Sequence, residues 1–212
     1  DAGKPGQKPA ILFVHGSSMA SQPTFDLKVP GRPHSSAMDY FVEKGFDTWC
    51  VDMEGYGRSD KKRDINFDIA NGVDDLVAAT DYIAKTRGIM SFMVYGISSG
   101  ALRAACFAER CPERVSRLAL DAFVWTGEGS VTLDERKKKL PDFIKVNRRP
   151  MDRAFIHSIF ERDHPGCAEK NASFHFKFNW LIDFTPRAII NATAHVRHQV
   201  NAKSLEQGDS QG

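Results

Sequence analysis

Up to residue 125 the chain alternates short apolar runs with stretches that are apolar on one side only. "ILFVHG" (11–16), "FDTWCVDM" (46–53), "SFMVYG" (91–96) and "VSRLALDAFV" (115–124) are brief, rich in β-branched and aromatic residues, and read as buried strands. Between them stand segments of helical period. In "SSAMDYFVEKG" (35–45), Ser36 and Asp39 have capping-box spacing and Gly45 suits a helix stop. In "DIANGVDDLVAATDYIAKTRG" (68–88), Ile69, Val73, Leu76, Thr80 and Ile83 fall on one face, and Gly88 closes the run. A third helix is predicted over 99–110. Strict alternation of strand and helix predicts an α/β fold: a mostly parallel, doubly wound sheet covered on both faces.

Beyond residue 125 the pattern changes. Thr132 and Glu135 have the spacing of a helix start, and Pro150 can open a helix carrying Met151, Phe155, Ile156, Ile159 and Phe160 on one side. The expected organisation is a core over 1–125, a helical cap-like insertion over 126–165, and a tail over 166–212 left unassigned. Within that tail "FHFKF" (174–178) alternates as an edge strand does, and a late core element is also expected there.

Composition narrows the class. With 212 residues, 42% hydrophobic and 26% charged, the chain is long enough for one substantial core and is not a disordered composition. A formal charge of +2 gives no global attraction to nucleic acid or to acidic membranes. Four cysteines (Cys50, Cys106, Cys111, Cys167) form no CxxC pair and read as free thiols. No apolar run approaches about 18 residues, and "DAGKPGQKPA" lacks the form of a signal peptide, so a cytoplasmic, soluble chain is expected. "RKKK" (136–139) reads as a solvated helix face. No cofactor, metal, nucleic-acid or membrane partner is expected.

The chemistry gathers at "FMVYGISSGALRAA" (92–105). In Gly96-Ile97-Ser98-Ser99-Gly100 a serine stands between glycines at the junction of a strand and a helix. A sharp turn there lifts a hydroxyl clear of the sheet, and bulk at either glycine would collide with neighbouring backbone. The next helix opens with small residues and places unpaired N–H groups and the positive end of its dipole beside Ser98.

With G-x-S-x-G in this context, the chain resembles the α/β-hydrolase family in its serine-nucleophile branch. Two more motifs carry the resemblance: His15-Gly16 after the first strand, and "DMEGYGRSD" after the second, similar to the family turn Asp-x-x-Gly-x-Gly-x-Ser at Asp52, Gly55, Gly57 and Ser59. Asp60 replaces the last glycine that a dinucleotide fingerprint would need in "GYGRSD", so that turn reads as structural. The resemblance spans roughly residues 9 to 165. It implies an oxyanion hole from the N–H groups of Ser17 and Ser99, with Ser98 as nucleophile.

The remaining triad members stay open at this stage. Family order places an acid and then a histidine after the serine. Asp121, closing the fourth strand, is preferred as the acid over Asp183 in "WLIDFTP". His198, with His195 as its alternative, follows a short apolar run, whereas His157 and His164 fall in the cap-like segment and read as surface residues. The family's antiparallel hairpin ahead of the first strand and its pair of late strands are not visible, which implies a sheet shortened at both ends. Two readings follow. One is a serine hydrolase acting on an ester-like or other acyl carbonyl of a small molecule. The other is a non-catalytic remnant or binding module, and the apolar tail would in either case favour self-association.

Overall fold

The computed structural model describes residues 7–17, 19–63, 67–124, 126–143, 145–146, 149–150, 152–161, 164–166 and 181–182. Its centre is a parallel sheet of β1 (Ala10–Val14), β2 (Asp47–Val51), β3 (Phe92–Ile97) and β4 (Val115–Asp121), in the spatial order β2-β1-β3-β4. Each strand lies within the run predicted for it or overlaps it. β4 ends at Asp121 because Ala122 takes a positive φ of 48° and turns the chain away, three residues before the apolar run itself ends.

β1 is buried along its whole length, since it is internal in the sheet and covered on both faces. Its side chains alternate between two cores, as the period of two requires. Ala10, Leu12 and Val14 join a cluster with Val73, Leu76, Ile83, Val94, Ala104 and Phe107, while Ile11 and Phe13 join Phe25, Met38, Phe41 and Tyr95. The first cluster is covered by α3 (Ile69–Arg87) and α4 (Ser99–Arg110), the second by α1 (Ser21–Phe25) and α2 (Ala37–Glu43).

The helices follow their sequence signals closely. Ser36 Oγ accepts the Asp39 N–H at 3.0 Å at the start of α2. Asp68 and Asn71 form a reciprocal capping box on α3, and Gly88, at φ 66°, ends it. α1 has no helical period in the sequence. It forms because Phe25 docks on Phe13, with ring centroids 5.0 Å apart, a contact that no local period announces.

The described residues of 126–165 include three helices, which start elsewhere than expected. α5 (Val131–Lys138) is capped by Ser130, whose Oγ accepts the Leu133 N–H, and not at Thr132. After α6 (Leu140–Phe143), Pro150 lies in β5 (Arg149–Pro150), paired antiparallel with β6 (Leu181–Ile182), and does not open a helix. α7 (Arg153–Glu161) instead begins after Asp152, whose carboxylate accepts the Phe155 N–H at 2.7 Å and satisfies one of the unpaired donors of the first turn. Leu133 is buried in the main core cluster, and Phe155 packs against it. Lys137 and Lys138 pair on the surface with Asp134 and Glu135.

Among the described residues no helix is long and apolar enough to cross a membrane. No group of three or more His, Cys, Asp or Glu side chains is gathered as a metal site would need, again among the described residues. "FHFKF", Cys167, Asp183, His195 and His198 lie outside them.

Candidate active site

Strand order places the site. The chain passes from β1 outward to β2 and then crosses to β3 on the other side of β1, so the loops after β1 and β3 diverge and leave a crevice at the carboxyl ends of these strands. The loop after β1 begins His15-Gly16-Ser17, and the turn after β3 carries Ser98.

Ser98 has φ 57° and ψ −123°, a conformation that L side chains rarely adopt. Two backbone bonds hold it there. Its N–H donates to the Asp121 carbonyl at 2.9 Å, and its own carbonyl accepts the Ala101 N–H at 3.0 Å. The flanking glycines are required by contact. A Cβ on Gly96 would lie 2.5 Å from the Gly100 carbonyl oxygen, and one on Gly100 would lie 2.2 Å from that of Val14. Gly16 faces the serine directly, for a Cβ there would be 3.1 Å from Ser98 Cβ.

Ser17 and Ser99 come together across the crevice, their hydroxyls 2.8 Å apart. Ser99 is the first residue of α4, so its N–H has no intrahelical acceptor. Beneath Ser17, the His15 ring is completely buried. Its Nε2 accepts the Met53 N–H at 3.1 Å, which leaves the proton on Nδ1 to be donated to the Gly16 carbonyl at 2.7 Å. Burial, assisted by the Arg103 charge, pushes the His15 pKa down to about 4, so the ring is neutral. The peptide whose carbonyl His15 holds is the Gly16–Ser17 unit, and its N–H points the opposite way.

The Asp52 turn is structural, as its sequence suggested. Asp52 Oδ1 accepts the Ser21 N–H at 2.8 Å and Oδ2 the Arg58 N–H at 2.9 Å, and Ser59 Oγ donates to the Asp52 carbonyl. Gly57, at φ 47°, passes where a side chain would strike the Asp52 carboxylate.

Asp121 is beside Ser98 through the backbone, and its side chain is engaged by Tyr95, whose hydroxyl donates to Oδ2 at 2.5 Å. Burial and this carboxylate push the Tyr95 pKa up to about 12. His157 is exposed and lies 3.4 Å from Glu161 on the same helix, and His164 is also exposed, so both are surface histidines. The thiols of Cys50 and Cys106 are free, and burial pushes each up to about 11. Sequence reasoning overlooked Tyr95 and Arg103. A lone arginine within the small-residue run "GALRAACFA" was the available signal for the second.

Comparison with known proteins identifies the fold family. The family described as alpha/beta hydrolase fold matches residues 9–204. A proline iminopeptidase of Neisseria meningitidis serogroup A is 27% identical over 202 residues, covering 89% of this chain and 60% of its own length. The chain thus spans about 60% of the length of the curated relatives it matches. Among solved structures, a carboxylesterase study of Nitrososphaera gargenis gives a TM-score of 0.55 at 14% identity, covering 92% of this chain and 65% of that one. An extracellular alpha/beta-hydrolase from a Paenibacillus species gives 0.53 at 15% identity, covering 81% and 66%. At such identities these structures speak to the fold alone.

Proposed function

The chain belongs to the α/β-hydrolase fold family, and from that membership we propose that it is a serine hydrolase acting through an acyl-enzyme on Ser98. The observation that carries the proposal is the strained elbow, which sets Ser98 against Gly16 at the mouth of the crevice. Backbone strain of this kind costs about 1–3 kcal/mol and persists where a site requires it.

In this reading Ser98 Oγ attacks the carbonyl carbon of an ester-like or other acyl substrate, and its proton passes to a histidine. His198 is the proposed base, with His195 the alternative, and Asp121 is the proposed acid that orients it. The carbonyl oxygen becomes an oxyanion received by the N–H groups of Ser17 and Ser99, each such donor contributing about 10²–10³ in rate. Collapse of the tetrahedral intermediate expels the alcohol or amine, which takes the proton from the histidine. Water then repeats the sequence on the acyl-enzyme and releases the carboxylic acid. Residues 126–165 serve as the cap that shapes the pocket for a small molecule, and the tail supplies a surface for self-association. The name of the proline iminopeptidase relatives fits attack on an acyl carbonyl.

A fluorophosphonate probe on the folded protein, mapped by mass spectrometry, tests the proposal. Label confined to Ser98 and absent from Ser98→Ala is expected. Folded wild-type protein that takes no label refutes it and leaves the elbow as architecture.

A further inference from the structure

Arg103 lies in the second turn of α4, one turn beyond Ser98, and is 3% exposed. Burial pulls its guanidinium below the usual pKa, opposed by the Tyr56 hydroxyl and the charge of Asp75. Among the described residues it forms no ion pair, and its Nε has no acceptor. Desolvating a charge is costly, and even a buried ion pair is only weak evidence for stability. What Arg103 touches is therefore the guide to its role.

Three elements make room for it. Gly72 of α3 lacks a Cβ where one would stand 2.5 Å from Arg103 Cδ. The Phe67 ring lies under the guanidinium, 5.6 Å from its centroid, and Tyr56 meets it from the loop after β2. The guanidinium itself spends Nη1 on one acceptor, the His15 carbonyl, at 3.1 Å.

That acceptor begins a short chain of fixed peptide planes. Arg103 holds the carbonyl of the His15–Gly16 peptide, and His15 Nδ1 holds the carbonyl of the next, Gly16–Ser17. The His15 ring is itself held by the Met53 N–H and by Tyr56, whose ring centroid is 4.7 Å away. The N–H at the end of the chain is that of Ser17. We propose that Arg103 is a positioning residue, which ties the elbow helix to the His15–Ser17 loop and so sets the Ser17 N–H relative to Ser98. This rests on the serine-hydrolase reading above, in which that N–H receives the oxyanion. Because Ser98 directly precedes the helix that carries Arg103, nucleophile and oxyanion donor keep a common frame.

The test uses Arg103→Met, which keeps volume without charge, and Arg103→Lys, which keeps charge over Phe67 but reaches less far, so that one variant decides if the other does not fold. Two quantities are read: amide exchange at Met53, and the fluorophosphonate reaction separated into its saturation constant and its limiting rate. Exchange at Met53 is expected to quicken about tenfold as the His15 ring loosens, while α3 amides stay protected. The limiting rate is expected to fall between about 10- and 100-fold with the saturation constant unchanged, as misplacement of a reacting geometry produces. An unchanged Met53 amide or an unchanged limiting rate in a folded variant overturns the proposal. Wild-type protein that takes no label refutes the hydrolase reading instead, and the Met53 amide then decides the role of Arg103 alone.

Discussion

Gly100 stands so close to Val14 that a Cβ built on it would lie 2.2 Å from the Val14 carbonyl oxygen and 2.4 Å from that of His15. Both contacts are with backbone, which cannot rotate aside. The last glycine of the motif is therefore the joint that lets α4 press its N-terminus against the end of β1, and Ser98, Ser99 and the His15–Ser17 loop meet because of it.

Gly100→Ala should consequently destabilise the fold by about 3 kcal/mol, near the upper end for overpacking at a rigid contact. Urea melts followed by circular dichroism read this as a lower midpoint with the slope retained. A midpoint equal to that of the wild type would mean that α4 is not seated on β1 as described.

Ser98→Gly should act in the opposite sense. Glycine enters the region of φ 57° without steric strain, so the variant should gain about 1 kcal/mol of stability while losing every trace of fluorophosphonate label. A variant less stable than the wild type would show that the elbow is not strained.

His15 makes stability depend on pH in a definite direction. Its pKa falls from 6.5 to about 4 on folding, so above 6.5 both states are neutral and the full stability is present. As pH falls through the window from 6.5 to 4 the unfolded state takes up a proton that the folded ring refuses, and about 3 kcal/mol is lost. Unfolding free energies measured across this window should slope more steeply in the wild type than in His15→Gln. Equal slopes would place the proton on His15 in the folded protein.

Tyr95 and Asp121 should be coupled. Their hydrogen bond is charge-assisted but open to solvent, so a double-mutant cycle of Tyr95→Phe and Asp121→Asn should return about 1 kcal/mol of coupling at neutral pH. If Asp121 orients the catalytic histidine, Asp121→Asn should also slow labelling of Ser98, whereas Tyr95→Phe should leave it nearly intact. Full labelling in Asp121→Asn would move the acid to Asp183.

The parts of the fold legible in sequence are those written locally. Strand runs halted by glycine and the 3.6-residue period of α3 located the sheet and its cover. The serine between glycines located the elbow, since a residue in that backbone conformation needs small neighbours. Cap positions were less legible because several polar residues competed for them. Ser130 took the place expected of Thr132, and Asp152 that expected of Pro150, and side-chain reach to a particular N–H decides such contests.

By itself, the sequence determined the alternation of β1 to β4 with α2, α3 and α4, the sharp turn at Ser98 and the structural turn at Asp52, because each depends on residues within a few positions of one another. Only the tertiary structure decided that β1 lies between β2 and β3, which opens the crevice where the loops diverge. It alone decided that α1 forms against Phe13, that Ser17 and Ser99 share a hydrogen bond, and that the His15 carbonyl meets Arg103. These contacts join residues up to 88 positions apart in the chain, and no local pattern encodes them. They exist because burial of two apolar faces brings distant segments together, and the polar groups buried with them are held mostly by one another.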